Sequence, residues 1–213
     1  MKLLSHLKSV DPVARFEAAC PMPPAEIRRL QARRWVLDHV PKNAIGAEIG
    51  VFRGHFSEMI CQIARPSLLY LVDPWSIDRE TFGWGREYTD FGRLRTADAR
   101  DEAIARTARH PHTRTIVIED YYPACAARIT HALDFAYLDA SHGQASTLRE
   151  LRALERQIGP DGIILGDDWT HQRDHQHHGV FLAVAEFTRT APWEVIQAGP
   201  GGQWAIRRRA ATS

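Results

Sequence analysis

Acidic residues stand at the ends of successive apolar runs in this sequence. The runs cover residues 44–50, 68–73, 115–120, 135–139 and 162–168. The acids within them or at their ends are Glu48, Asp73, Glu119 with Asp120, Asp139, and Asp167 with Asp168. If the runs are parallel strands of an open sheet, their carboxyl ends meet at one edge, where such sheets bind ligands. Burying so much like charge without a ligand or cation is costly, so we expect a functional site at this edge.

The segment AEIGVFRGHFS, residues 47–57, predicts a tight turn that leads into a helix. Gly50 and Gly54 allow the backbone to turn sharply and to approach a ligand closely. The G-x-G-x-x-G spacing of dinucleotide sites is missing, and Glu48 precedes the turn, which favours a nucleoside with a cationic head over one with phosphates. A nicotinamide-dependent oxidoreductase is therefore the least favoured enzyme class. Asp73 stands where ribose hydroxyls are bound in sheets of this kind.

Composition limits the protein to one sizeable domain without a strong charge signature. The chain has 213 residues, 44% hydrophobic and 25% charged, with a formal net charge of +1. Its arginines are spread along the chain, so we expect no nucleic-acid partner. Three cysteines without metal or disulfide spacing indicate a reducing cytoplasm. Polar residues interrupt the first apolar stretch, so we expect a soluble protein without a signal peptide or membrane association.

Helical patterns alternate with the apolar runs, which predicts an α/β domain with a mostly parallel sheet. They cover residues 24–40, 56–64, 97–109, 147–158 and 181–188. Residues 193–198 and 203–208 read as a closing β-hairpin. We predict a helical N-terminal extension over residues 1–40 and one domain over residues 41–213. The stretch 74–96, rich in glycine and aromatic residues, is predicted to be a substrate lid, the alternative being a surface insertion.

Three features resemble the class I S-adenosylmethionine-dependent methyltransferases. EIGVFRG is similar to their first motif, LYLVDPW to their second, and the closing hairpin to their sixth and seventh strands. The resemblance implies a doubly wound, mostly parallel, seven-stranded Rossmann-like sheet with a C-terminal antiparallel hairpin. It also implies that the chain binds S-adenosylmethionine. The cofactor-binding residues that it implies are Glu48 and Gly50 at the methionyl part, Gly54 and Ser57 after them, Asp73 at the ribose, and Asp120 with Tyr121 near the adenine.

The segments YLDASH and GDDW resemble the metal-dependent O-methyltransferases of the catechol and macrocin types. The resemblance implies that Asp139, Asp167 and Asp168 hold one Mg²⁺ or another divalent cation. Oxygen ligands suit such a hard cation. Adjacent residues of a regular strand point to opposite faces, so Asp167 and Asp168 can share an ion only where their strand ends. The alternative is that one of the pair caps the next helix or contacts the lid.

Histidines close to these acids are candidates for a general base. His142 follows Asp139 by three residues, and His171 follows the Asp pair. A histidine titrates near neutrality and can take a proton from a substrate hydroxyl, so we predict His142 or His171 as the catalytic base. His175, His177 and His178 suggest a zinc or nickel site. We interpret them instead as histidines of a polar loop without a role.

The combined pattern predicts transfer of a methyl group to a hydroxyl of a small molecule. The predicted partner is therefore a hydroxylated acceptor, and assembly with further copies of the chain is left open. Two alternatives stay open for the reaction: metal-independent methylation of nitrogen or carbon, with the acids binding an amine, and a non-catalytic module that binds the cofactor. Chelators distinguish the first alternative, and cofactor binding without turnover distinguishes the second.

Overall fold

The computed structural model describes residues 11–75, 88–90 and 92–210. Its helices are α1 Pro12–Ala19, α2 Pro24–Ala32, α3 His55–Ile63, α4 Thr96–Ala108, α5 Gln144–Glu155 and α6 His178–Thr190. Its strands are β1 Ile45–Ile49, β2 Leu68–Asp73, β3 Tyr88–Thr89, β4 Leu94–Arg95, β5 Arg114–Glu119, β6 Leu133–Leu138, β7 Ile158–Gly166, β8 Trp193–Ala198 and β9 Trp204–Arg208. Strands and helices thus alternate along most of the chain.

Seven of these strands form one sheet, in the order β5-β2-β1-β6-β7-β9-β8. The first five are parallel, and β9 runs antiparallel to both β7 and β8. This arrangement confirms the predicted doubly wound sheet with a C-terminal hairpin. The strand order reverses between β1 and β6, and ligands of open α/β sheets bind beyond the carboxyl ends of the strands at such a point.

The core lies on both faces of the sheet, which explains why its strands are continuous apolar runs. In β2, Tyr70 and Val72 pack into one cluster with α5 and α6, whereas Leu69 and Leu71 pack into the other with α3 and α4. Successive side chains of a strand point to opposite faces, so a strand covered on both sides needs apolar residues throughout. The sheet is therefore a rigid support for the loops at its carboxyl edge.

The N-terminal segment differs from the single helix predicted over residues 24–40. Helix α2 ends at Ala32, and a 3₁₀ helix follows over Arg34–His39. Val36 and Leu37 of the 3₁₀ helix are buried, whereas the described residues of α2 include no buried one. We attribute the end of α2 and the start of the 3₁₀ helix to the packing of Val36 and Leu37 in the core. The division at residue 40 into an extension and a domain stays a prediction.

The predicted lid falls mostly outside the described residues. Residues 76–87 and 91 are among those not described, and the rest of the stretch includes the antiparallel pair β3 and β4. The lid therefore stays a prediction. Within the described ranges, no helix has the length and apolar character needed to cross a membrane. A cytoplasmic location and self-association stay predictions as well.

Candidate active site

The two glycines after β1 have different structural roles. Gly50 has a φ of +88°, and a Cβ atom there would lie 1.9 Å from the carbonyl oxygen of Asp139. Gly54 has a φ of +73°, and a Cβ atom there would lie 2.6 Å from Cα of Ala103 in α4. Only glycine fits such contacts at a positive φ. Gly50 thus brings the turn against the end of β6, whereas Gly54 allows α3 to pack against α4.

Asp73, at the end of β2, holds the turn in place. Its Oδ2 accepts hydrogen bonds from the backbone N–H groups of Val51 at 2.8 Å and Phe52 at 2.9 Å. Its Oδ1 accepts one from the N–H of Trp75 at 2.9 Å. The predicted ribose ligand is therefore also the residue that joins the first and second motifs.

Glu48 is buried beneath the turn, with a relative exposure of 1%. It accepts a hydrogen bond from the hydroxyl of Ser57, which is itself fully buried. Burial raises the pKa of Glu48 well above its usual range, although the Ser57 hydrogen bond acts in the opposite direction. A cationic group bound next to Glu48 would stabilise its ionised form. Ser57 contacts Glu48, and its predicted role toward the cofactor stays a prediction.

Two adjoining cavities lie at the carboxyl edge of the sheet. The larger, of about 730 Å³, is lined by Glu48, Gly50, Asp73, Asp139 and His142, and by residues of the segment from Ala19 to Arg33. The smaller, of about 290 Å³, is lined by Asp120 and Tyr121 and again by Gly50, Asp73 and Asp139. Predicted methionyl, ribose and adenine residues thus line two cavities that share Gly50, Asp73 and Asp139. Glu150, which belongs to none of the sequence motifs, also lines the smaller cavity.

The three predicted metal ligands come together, and one of them, Asp139, lines the larger cavity. Asp139 follows β6, Asp167 and Asp168 follow β7, and their carboxylate oxygens can be chosen within 4.8 Å of one another. Asp168 has a φ of +65°, which is outside the strand conformation. The regular alternation of side chains has therefore ended at Asp168, and the carboxylates of Asp167 and Asp168 can lie near each other. Gln203 fixes Asp167 by donating from Nε2 to Oδ1 at 2.5 Å, and Tyr137 donates to Gln203 at 2.8 Å.

Two arginines neutralise these acids, and neither was predicted from the sequence. Arg33 pairs with Asp167 and lies 3.3 Å from Oδ2 of Asp139. Arg29 lies 2.7 Å from Oδ2 of Asp167 and 3.2 Å from Oδ1 of Asp168. The oxygen donors suit a hard divalent cation, but such an ion would have to take the place of the guanidinium groups. The four-residue spacing of the arginines along the predicted helix was the available signal.

The pKa values of the adjacent acids Asp167 and Asp168 are shifted in opposite directions by their surroundings. Burial and the nearby Asp139 raise the pKa of Asp167 to about 7, against the effect of Arg33. Burial also acts to raise the pKa of Asp168, but His142 and His177 outweigh it and hold that pKa well below its usual range. Neighbouring carboxyl groups with pKa values shifted in opposite directions are typical of sites that use them differently.

The structure brings one of the two predicted bases to the acids. His142 Nε2 lies 3.0 Å from Oδ2 of Asp168 and borders the larger cavity. His171 instead contacts the rings of Trp169 and Phe181. His177, interpreted from the sequence as having no role, lies with Nδ1 2.9 Å from Oδ1 of Asp168. His142 is therefore the better placed of the two candidate bases.

The cavities that Gly50, Asp73 and Asp139 line lie at the reversal of strand order, where open α/β sheets bind their ligands. Residues 47–169, more than half of the 213 residues, match a family model described as a methyltransferase domain. The chain belongs to this methyltransferase domain family, and the predicted resemblance to class I S-adenosylmethionine-dependent methyltransferases is confirmed.

Solved structures share the fold at low sequence identity. A Corynebacterium glutamicum protein is 13% identical over 98% of this chain and 94% of its own, with a TM-score of 0.63. The O-methyltransferase TomG of Streptomyces achromogenes, solved with S-adenosylmethionine, is 11% identical over 95% of this chain and 92% of its own, with a TM-score of 0.58. An rRNA methylase of Streptococcus thermophilus is 10% identical over 89% and 98%, with a TM-score of 0.54. No curated protein matches the sequence.

Proposed function

We propose that this chain is an O-methyltransferase that transfers the methyl group of S-adenosylmethionine to a hydroxyl of a small molecule, assisted by a divalent cation. One observation carries the proposal: Asp139, which groups with Asp167 and Asp168, lines the same cavity as His142 and as the predicted cofactor residues Glu48, Gly50 and Asp73. The acids and the base thus adjoin the predicted cofactor residues. Methyl transfer requires the acceptor oxygen within about 3–3.5 Å of the methyl carbon.

The proposed cofactor position follows the two cavities. The smaller cavity takes the adenosine, with Asp120 and Tyr121 near the adenine and Asp73 at the ribose. The methionyl part extends past Gly50 into the larger cavity, where its cationic groups approach Glu48. Gly54 and Ser57 support this part through α3 and Glu48. The S-adenosylmethionine bound in the TomG structure, which shares this fold, supports the choice of cofactor.

Ionising the acceptor is the chemical task that this site has to perform. A phenolic hydroxyl has a pKa of about 10, so its ionisation at pH 7 costs about 4 kcal/mol. His142 donates from Nε2 to Oδ2 of Asp168, which orients the ring and stabilises the imidazolium that forms, and its Nδ1 takes the proton of the acceptor hydroxyl. A divalent cation held by Asp139, Asp167 and Asp168 would supply Lewis-acid stabilisation of the acceptor oxygen and would orient it.

The arginines favour one second candidate, metal-independent methylation of a nitrogen or carbon atom. Arg29 and Arg33 already supply positive charge to the three acids, so the acids need no metal to be neutralised. In that case Asp168 and His142 would face the acceptor directly. Chelation separates this candidate from the proposed function, since only the metal-assisted reaction loses its rate.

Asp168→Asn tests the role of the acids. We expect the variant to lose most methyl transfer, about 10²–10⁴-fold, because it weakens both the cation site and the orientation of His142. Affinity for S-adenosylmethionine, measured by calorimetry, should change little. The predicted cofactor residues all precede β6 in the chain, whereas Asp168 follows β7 and is not one of them. Asp161→Asn, an exposed change on β7, is the matched control. Turnover of Asp168→Asn equal to that of the control would contradict the proposal.

A further inference from the structure

Three groups of side chains in the described part of the chain place potential metal ligands close together. In two of them, arginines pair with the carboxylates. The group of Asp139, Asp167 and Asp168 is paired with Arg29 and Arg33. The group of Glu17, His55 and Glu102 is paired with Arg53 and Arg106. The third group is His142, Asp168 and His177. Here both oxygens of the carboxylate face imidazole rings, and Arg29 approaches only Oδ1.

The third group converges from three separate elements. His142 precedes α5, Asp168 follows β7, and His177 directly precedes α6. His142 Nε2 lies 3.0 Å from Oδ2 of Asp168, and His177 Nδ1 lies 2.9 Å from Oδ1. The two rings are stacked, with centroids 4.1 Å apart. One ligand atom from each residue can be chosen within 4.8 Å of the other two, a spacing that one ion can bridge.

His177 carries a second observation that points to a ligand. Its Nδ1 is buried and, although close to Asp168, makes no hydrogen bond of acceptable geometry. A buried ring nitrogen left without a hydrogen bond is costly unless something else binds it. The backbone N–H of His177 donates to Nδ1 of His175 at 3.1 Å, which holds the segment before α6 in position.

The members of the group line two cavities and are partly exposed to solvent. His142 lines the larger cavity, and Asp168 and His177 line another cavity, of about 480 Å³. The side chain of His142 is 41% exposed and that of His177 is 22% exposed. An ion can therefore enter without unfolding of the core, and its remaining coordination positions would face open space.

We propose that His142, Asp168 and His177 form a binding site for a transition-metal ion of the zinc class. Two imidazoles and one carboxylate favour Zn²⁺, Co²⁺ or Ni²⁺, whereas Mg²⁺ prefers a set made only of oxygens. Three protein ligands also leave a position open for water or a substrate oxygen, as in catalytic zinc sites. This site shares His142 and Asp168 with the proposed function but goes beyond it, because it adds His177, takes a different class of ion and is tested without any methyl acceptor.

Cobalt binding tests the site with a readout that is independent of activity. Full-length protein without an affinity tag is stripped by chelation, dialysed and titrated with Co²⁺ while visible absorption is recorded. We expect one Co²⁺ per chain, displaced by Zn²⁺ and not by a large excess of Mg²⁺. His177→Gln and, separately, His142→Gln should weaken Co²⁺ binding by at least about 10–100-fold, since even outer-shell partners are worth that much.

Two matched variants separate this site from its neighbours. His171→Gln changes a histidine of the same loop that is outside the ligand group and contacts Trp169 and Phe181 instead, so it should bind Co²⁺ as the wild type does. Asp139→Asn changes the oxygen-only group and should also retain Co²⁺. Thermal unfolding confirms that each variant is folded. The proposal is overturned if the wild type binds no stoichiometric Co²⁺, if His171→Gln weakens binding as much as His177→Gln, or if Asp139→Asn alone abolishes it.

Discussion

Asp73 carries two functions at once, and its replacement should show both. It accepts three backbone hydrogen bonds from the turn and the start of the following loop, and it borders both cavities. We expect Asp73→Ala to weaken S-adenosylmethionine binding by about 1.5–3 kcal/mol, the usual range for hydrogen bonds to a charged group. Calorimetric titration measures this loss. An affinity equal to that of the wild type would remove Asp73 from the cofactor site.

Glu150 is a second residue whose effect can be isolated, through pH. It is 2% exposed, its Oε2 has no hydrogen-bond partner, and burial raises its pKa from 4.5 to about 7. An acid whose pKa is raised on folding destabilises the folded state as pH increases, here between 4.5 and about 7. The destabilisation should reach about 3 kcal/mol at pH 8, at about 1.4 kcal/mol per pKa unit.

Glu150→Gln should therefore become more stable relative to the wild type as pH rises. Denaturant unfolding at pH 4, 6 and 8 measures the free-energy difference, and Asp161→Asn controls for the loss of an exposed negative charge. We expect the difference to grow by about 3 kcal/mol across this range, since the amide does not ionise. Parallel stability curves for the two proteins would show that Glu150 is not held with a raised pKa.

At the scale of elements, α2 and the residue after it connect the N-terminal segment to the sheet edge. Arg33 directly follows α2, and its side chain is 9% exposed between Asp139 and Asp167. Removing one partner of a buried ion pair typically costs about 3–5 kcal/mol, because the remaining charge is left uncompensated. We expect Arg33→Ala to lose that much unfolding free energy in chelated buffer. Arg28→Ala, an exposed change on the same helix, is the control.

Magnesium should reverse part of this loss, because a cation can then occupy the position of the guanidinium group. Unfolding of Arg33→Ala with and without Mg²⁺ measures the recovery, which should exceed that of the wild type. If Mg²⁺ stabilises both proteins equally, Arg33 does not compete with a cation for Asp139 and Asp167. A loss no larger than that of Arg28→Ala would show that the ion pair contributes little.

At the scale of the whole molecule, the sequence predicts the sheet far better than the partners of its acids. Strands such as β2 and β6 are buried on both faces, so their apolar runs and acidic ends are visible in the sequence. The glycine-rich turn between residues 193–198 and 203–208 likewise makes the hairpin of β8 and β9 visible in the sequence. The row of acids at the carboxyl ends of the parallel strands was therefore predictable from local patterns, as was its proximity to Gly50.

Contacts between distant parts of the chain could not be predicted in this way. Arg29 pairs with Asp167 across 138 residues, and Arg33 with Asp139 across 106 residues. His177 lies near Asp168, which has a positive φ, and no local pattern indicates either feature. The end of α2 at Ala32 likewise depends on burial of Val36 and Leu37 against the sheet. Such features depend on packing between elements.

Metal-assisted methyl transfer to oxygen is the central claim, and one assay tests it most directly. The chelated enzyme is incubated with methyl-labelled S-adenosylmethionine and a panel of phenols, sugars and amines, with and without added Mg²⁺, and the product is identified by NMR. We expect the label on a hydroxyl oxygen, with transfer lost on chelation and restored by Mg²⁺. Full activity of the chelated enzyme, or label only on nitrogen or carbon, would contradict the claim.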